Sequence, residues 1–355
     1  YTTLFRSAGD VLFGTIGWTG NYRFTFEVDN ENGLRVLSGI NPYASEYSLK
    51  PNEVFRTPEF IFTYSTEGKG KASRDFQRWA RKYQLKDGEK SRMTLLNNWE
   101  ATYFEFTEEK ILQLAQVASR TGIELFVLDD GWFGKRNNDE SSLGDWKVNL
   151  DKLPNGLNGL AERINELGMK FGLWFEPEMI SIDSDLYREH PDWAIHIEGR
   201  LPIYSREQLV LDLTKQEVCD YIIDNVSSIL ESANITYVKW DMNRNITNIP
   251  EGLANDQRFE FHHRYMLGLY RVLDHLTKRF PDILFESCAG GGGRNDLGIM
   301  YYMPQAWASD DTDAIERISI QEGTSLIYPP SSIGAHVSAV PNHQVGRITP
   351  LATRG

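Results

Sequence analysis

From about Leu95 to the end of the chain, short runs of β-branched and aromatic residues alternate with stretches whose apolar residues recur at helical spacing. No other feature limits the fold so much. "LLNNWEA" precedes a helix from Thr107 to about Arg120, and "ELFVLDDGW" is followed, after a loop, by the helix "LNGLAERINELG". Next come "KFGLWFEPEM" with a short helix near "DSDLYREH", and "LVLDLT" with the long helix "KQEVCDYIIDNVSSILESAN". "ITYVKWDMNR" leads to a helix from about Arg258 to Arg279, and "ILFESCAGGGG", "YYMPQAWASDD" and "SSIGAHVSAV" complete the series. Eight strands in steady alternation with helices predict an α/β fold of parallel βα units, and about 250 residues is the size of a closed (β/α)8 TIM barrel. A doubly wound open sheet is the other arrangement of such units.

The preceding stretch has a different texture. Up to about Tyr64, "TGNYRFTFEVDN", "GLRVLSGI" and "PEFIFTYS" are separated by Gly, Asn and Pro, which predicts antiparallel strands. Residues 1–70 are therefore expected to close an N-terminal β-sandwich. "KASRDFQRWARKYQL" reads as a linking helix within residues 71–94, with Phe76, Trp79, Ala80 and Tyr83 on its apolar face. Residues 95–355 are expected to form the barrel, truncated near its end. The chain opens on Tyr1 and stops at "LATRG", so it reads as a segment of a longer protein.

Composition narrows the partners. Against 50 acidic residues the chain has 37 basic ones, and its net charge of −13 disfavours nucleic acid and anionic membrane. No apolar run is long enough to span a bilayer. Cys219 and Cys288 form no C-x-x-C pattern, and His262, His263, His336 and His343 lack the spacing of metal ligands, so neither a disulfide framework nor a metal site is expected. Cys219, within an amphipathic helix, is expected to be a buried small hydrophobe.

The reactive groups of a barrel gather at the carboxyl ends of its strands. Here Trp99 ends the first strand, Asp129 and Asp130 the second, and Trp174 and Glu176 sit late in the third. Lys239 and Asp241 end the fifth, Cys288 and the run Gly290 to Gly293 the sixth, and Asp310 and Asp311 the seventh. Burying an unpaired carboxylate is costly, so polar groups at nearly every strand end predict a shared polar pocket. The two-residue period of a strand puts Lys239 and Asp241 on one side, where the ammonium is expected to keep Asp241 ionised and suited to nucleophilic attack. In "SDDTD", mutual repulsion among Asp310, Asp311 and Asp313 is expected to hold one carboxyl protonated as a general acid. Asp311 or Asp313 could instead cap the helix "AIERISIQ". An ionised carboxylate facing a protonated one is the arrangement that cleaves glycosidic bonds. Trp99, Trp132 and Trp174 offer flat faces to a pyranose ring, each of them equally suited to the core. Asp129, Asp130, Arg206 and Lys239 offer partners for its hydroxyls.

The segments "NNWEA", "LDDGWFG", "GLWFEPEM", "YVKWDMNR", "ESCAGGGGR" and "WASDDTDA" resemble, in order, those of bacterial family 36 glycoside hydrolases, the α-galactosidases. The resemblance covers about Leu95 to Tyr328. It implies an N-terminal β-supersandwich, a catalytic (β/α)8 barrel and a C-terminal β-domain that this chain lacks. It further implies Asp241 as nucleophile and Asp310 as acid/base, with Asp311 as the second choice, and galactose contacts from Trp99, Asp129, Asp130, Trp174, Arg206, Lys239, Cys288, Gly290 and Gly291. Expected by the same likeness are retaining, cofactor-free hydrolysis of galactosides such as melibiose and raffinose, a homotetramer and a cytoplasmic location. A related α-N-acetylgalactosaminidase, α-glucosidase or transglycosylase, or a non-catalytic sugar-binding protein, would share many of these residues.

Overall fold

A computed structural model of the protein describes residues 8–197, 199–250, 253 and 255–354. The chain divides into two compact units, one spanning Ser91–Ala289 and the other combining Tyr1–Lys90 with Gly290–Gly355. Residues 1–7 of the expected β-region lie outside the described residues.

In the second of these units, β1 (Val11–Ile16), β2 (Tyr22–Val28), β3 (Leu34–Ile40) and β4 (Phe60–Ser65) are antiparallel strands, β1 paired with β4 and β2 with β3. The last three coincide with the aromatic runs read from the sequence. Val11, Phe13 and Ile16 of β1 are buried, and Phe13 meets Phe76 of the helix Gly68–Trp79 edge-on at 5.6 Å. Beyond Trp79 the helix widens into a π-turn, Ala80–Gln84, closed by Leu85 N donating to Ala80 O. That wider turn breaks the 3.6-residue period, so Phe76 and Ala80 are buried as expected while Tyr83 swings to solvent.

The unit Ser91–Ala289 is built on a parallel sheet. Its strands are β5 (Leu95–Asn97), β6 (Leu125–Leu128), β7 (Lys170–Phe175), β10 (Ile235–Trp240) and β11 (Leu284–Ser287), paired in that spatial order. On one face Phe126, Leu128, Leu173, Val238, Trp240 and Phe285 are buried in the core. The helices Gln216–Ser232 and Phe261–Arg279 bury continuous apolar stripes in the same unit. Cys219 lies in the first stripe, where burial pushes its thiol up to about 11. On the opposite face, Leu125, Val127 and Tyr237 form a buried cluster with Leu95 and Leu284 packed against it.

Three expectations about the strands need correction. "LVLDLT" does not join the parallel sheet. Its strand β9 (Leu209–Val210) pairs antiparallel with β8 (Met179–Ile180), and β7 pairs directly with β10. The amides that follow are already committed, Leu211 N to Glu178 O at 2.9 Å and Asp212 N to Trp193 O at 2.7 Å. The seventh expected strand shortens to β12 (Gln305–Ala306) after Pro304, which has no N–H to donate. The eighth, "SSIGAHVSAV", makes only the single parallel bridge Ala306↔Ile333, after the 3-10 turn Pro330–Ser332.

Gly172, in the middle of β7, is small of necessity. A β-carbon there would lie 2.9 Å from Tyr237 Cβ and 3.1 Å from Val127 Cγ2. Gly172→Ala is expected to destabilise the protein by about 1–3 kcal/mol, as overpacking of a filled core does. Denaturant unfolding checks this, and an unchanged midpoint would mean that β10 can shift away from β7 at Tyr237.

Candidate active site

Strand period builds the site directly. Above the apolar level of Val127, Gly172, Tyr237 and Leu284, the same strand faces continue to Asp129, to Trp174 and Glu176, to Lys239 and Asp241, and to Glu286 and Cys288. In register, Lys239 lies opposite Trp174 of β7 and Glu286 of β11.

Lys239 donates from Nζ to Asp129 Oδ2 at 2.8 Å. The spacing argument gave it Asp241 as its direct partner. The ion pair is with Asp129 instead, across a neighbouring strand. Burial alone would push the ammonium down, but the charges of Asp129, Cys288, Asp241 and Glu286 outweigh it and hold Lys239 well above the usual lysine value. Asp129 is fixed further by Asn97 Nδ2, and its own amide donates to Asn98 Oδ1 at 2.7 Å. Glu286 accepts the Tyr237 hydroxyl hydrogen. Burial raises its carboxyl, with Lys239 and that hydrogen bond opposing.

Asp241, 5% exposed, closes β10, its amide donating to Phe175 O at 2.7 Å. Oδ2 accepts Trp174 Nε1 at 3.1 Å and Oδ1 accepts Met242 N at 2.9 Å. Trp174 is itself held, since its carbonyl accepts Trp132 Nε1 at 2.9 Å and its ring stacks on Phe133 at 6.2 Å. Trp132 is completely buried and so belongs to the core. Trp99 is half-buried and edge-on to Tyr103 and Phe104.

Asp130 has a cation of its own. The buried Arg136 reaches it through Nε at 3.1 and 3.2 Å and Nη2 at 3.0 Å, while Arg136 Nη1 donates to the carbonyls of Asp139 and Ser141 at 2.9 Å each. Burial raises the Asp130 carboxyl, and Arg136 opposes the rise. Glu176 is also buried. Burial and the nearby Asp241 charge push its carboxyl up, with the hydrogen bonds from Asn243 opposing. Its Oε1 accepts Gln208 Nε2 at 2.6 Å and the Asn243 amide. Arg206 donates from Nη1 to Asn243 Oδ1 at 3.0 Å.

Arg136, Gln208 and Asn243 escaped the sequence reading, and Glu176 was placed at its strand end without a role. A usable signal existed for Arg136 alone: a buried acid needs a cation, and Arg136 is six positions beyond Asp130.

The other unit carries Gly290, Gly291 and Asp310. Both glycines have positive φ, +52° and +86°. A β-carbon on Gly291 would lie 2.6 Å from Asp310 N, so glycine is required for the backbone to pass this close. Asp310 Oδ1 accepts Trp307 Nε1 at 2.7 Å. Asp313 is the helix cap, accepting Glu316 N at 3.3 Å and pairing with Arg347 at 3.0 Å, while Asp311 Oδ1 accepts Asp313 N at 2.9 Å. Of the three acids in "SDDTD", the capping alternative therefore holds for Asp313, with Asp311 bracing it.

Residues 54–355 match the Melibiase family model, and residues 4–50 match the glycosyl hydrolase family 36 N-terminal domain. Alpha-galactosidase AgaA of Geobacillus stearothermophilus is 55% identical over 98% of this chain and 48% of its own length, and alpha-galactosidase Mel36A of Lactobacillus acidophilus is 51% identical with the same coverage. The chain thus spans about half the length of the curated relatives it matches. The crystal structure of AgaA superposes with a TM-score of 0.95 at 54% identity, covering 99% of this chain and 49% of that one. Substituted forms of AgaA have been crystallised with stachyose and with raffinose. Matched over nearly its whole length by these proteins, the chain belongs to the melibiase family, the α-galactosidases of glycoside hydrolase family 36.

Proposed function

We propose that the protein to which this chain belongs is a retaining exo-α-galactosidase acting on galactosides such as melibiose and raffinose. The observation that carries the reading is Asp241, a buried carboxylate aimed by the Trp174 indole and the Met242 amide, whose charge is felt by Lys239, itself paired with Asp129. An orientation fixed by two N–H donors suits a nucleophile. Asp241 attacks C1 as the leaving oxygen takes a proton from the acid/base, and a galactosyl ester forms. The acid/base then draws a proton from water, which attacks C1 and releases galactose with Asp241 restored. The sequence motif favoured Asp310 for the acid/base. In AgaA, however, the aspartates replaced in the stachyose and raffinose complexes are separated along the chain by the same number of residues as Asp241 and Asp311, one more than Asp241 and Asp310. That spacing supports Asp311.

The sugar contacts proposed are Trp99, Asp129, Asp130, Trp174, Arg206, Lys239, Cys288, Gly290 and Gly291, with no cofactor. The same reading makes residues 1–70 the end of a β-sandwich, 71–94 a linking helix and 95–355 part of a (β/α)8 barrel, and gives the whole protein a tetrameric, cytoplasmic form.

Two experiments with the full-length protein test this. Asp241→Gly is expected to lower turnover of an aryl α-galactoside by about 10⁴-fold or more, with partial recovery by azide and formation of β-galactosyl azide. Full activity in that variant would end the assignment. Asp311→Asn is expected to slow raffinose hydrolysis by about 10²–10⁴-fold while sparing kcat/KM on an activated aryl galactoside, whose leaving group needs little protonation; kcat on that substrate falls, because water must still be deprotonated in the second step. That pattern in Asp310→Asn, and not in Asp311→Asn, would return the role to Asp310.

A further inference from the structure

Arg206 and Glu207 occupy the centre of a turn closed by Gln208 N donating to Ser205 O at 3.3 Å, and both have left-handed backbones, with φ of +54° and +56°. Two successive non-glycine residues in that region are costly, and strain of this kind persists only where the surroundings fix it. Here the fixing groups can be named. Gln208, 1% exposed, donates from Nε2 to Glu176 Oε1 at 2.6 Å. The same oxygen accepts the Asn243 amide, and Asn243 Oδ1 in turn accepts Arg206 Nη1 at 3.0 Å. Glu176 therefore fastens Arg206 twice, its main chain through Gln208 and its guanidinium through Asn243. Arg244 Nη1 adds a second clasp on the loop, donating to the carbonyls of Ile203 and Gln208 at 2.7 and 2.8 Å. That clasp does not reach the Arg206 side chain.

We propose that Glu176 is a positioning residue for Arg206, and through it sets how tightly the sugar hydroxyl served by Arg206 is held. The proposal rests on the galactosidase reading above. Asp241 takes its hydrogen bonds from Trp174 and Met242, while those of Glu176 run toward Arg206 through Gln208 and Asn243. A single oxygen that receives two N–H donors, buried and shielded from water, works as a hub whose removal leaves both donors unpaired.

The test is a double-mutant cycle in the full-length protein, read as KM and kcat on an aryl α-galactoside and as Kd for galactose by calorimetry. Arg206→Ala is expected to weaken binding by about tenfold. Glu176→Ala is expected to do the same with kcat within about threefold of the parent, and the double variant to be no weaker than Arg206→Ala alone. Glu176→Gln keeps an acceptor oxygen in place and is expected to stay within about threefold of the parent. Losses that multiply in the double variant, or unchanged binding in Glu176→Ala, would overturn the proposal. Should Glu176→Ala fail to fold, Gln208→Met cuts the first of the two links, the one to the Arg206 main chain, and faces the same criteria. An unsubstituted protein that binds galactose but hydrolyses no α-galactoside would sink the galactosidase reading, and the cycle in Kd would still decide the role of Glu176.

Discussion

One ammonium group makes the acid-rich end of the parallel sheet tenable. Carboxylates gathered away from water lose hydration and repel one another, and both costs fall when a cation sits among them. Lys239 is that cation: it pairs with Asp129 at 2.8 Å and draws on Asp241, Glu286 and Cys288 to keep its own charge. The remaining acids are accommodated by separate means. Asp130 has Arg136, Glu176 accepts N–H groups from Gln208 and Asn243, and Asp241 takes hydrogen bonds from an indole and an amide. Acids so close together thus sit in different environments, and environment is what sets the state of each.

What the sequence made legible follows from local rules. The two-residue period puts Lys239 and Asp241 on one side of β10, because side-chain alternation is a property of the strand itself. The partner of Lys239 was beyond such reasoning. Asp129 lies 110 positions away, and only the pairing order of β6, β7 and β10 brings the two together. "LVLDLT" failed for a related reason. A short apolar run carries no information about which neighbour receives its hydrogen bonds, and here the partner was β8. The Arg206 turn left no trace either, since its left-handed positions hold arginine and glutamate in place of the glycine or asparagine that would announce them. In "SDDTD" the competing roles were visible and their distribution was not, because capping depends on where the helix starts, and it starts one residue after Asp313.

Trp174 is pinned at both of its polar ends, the indole N–H by Asp241 and the carbonyl by Trp132, while its ring lies against Phe133. A side chain held this way has no second rotamer to visit, and the carboxylate bonded to it is held in turn. The rotational entropy of Asp241 is therefore removed once, when the chain folds, and forms no part of the cost of any later encounter.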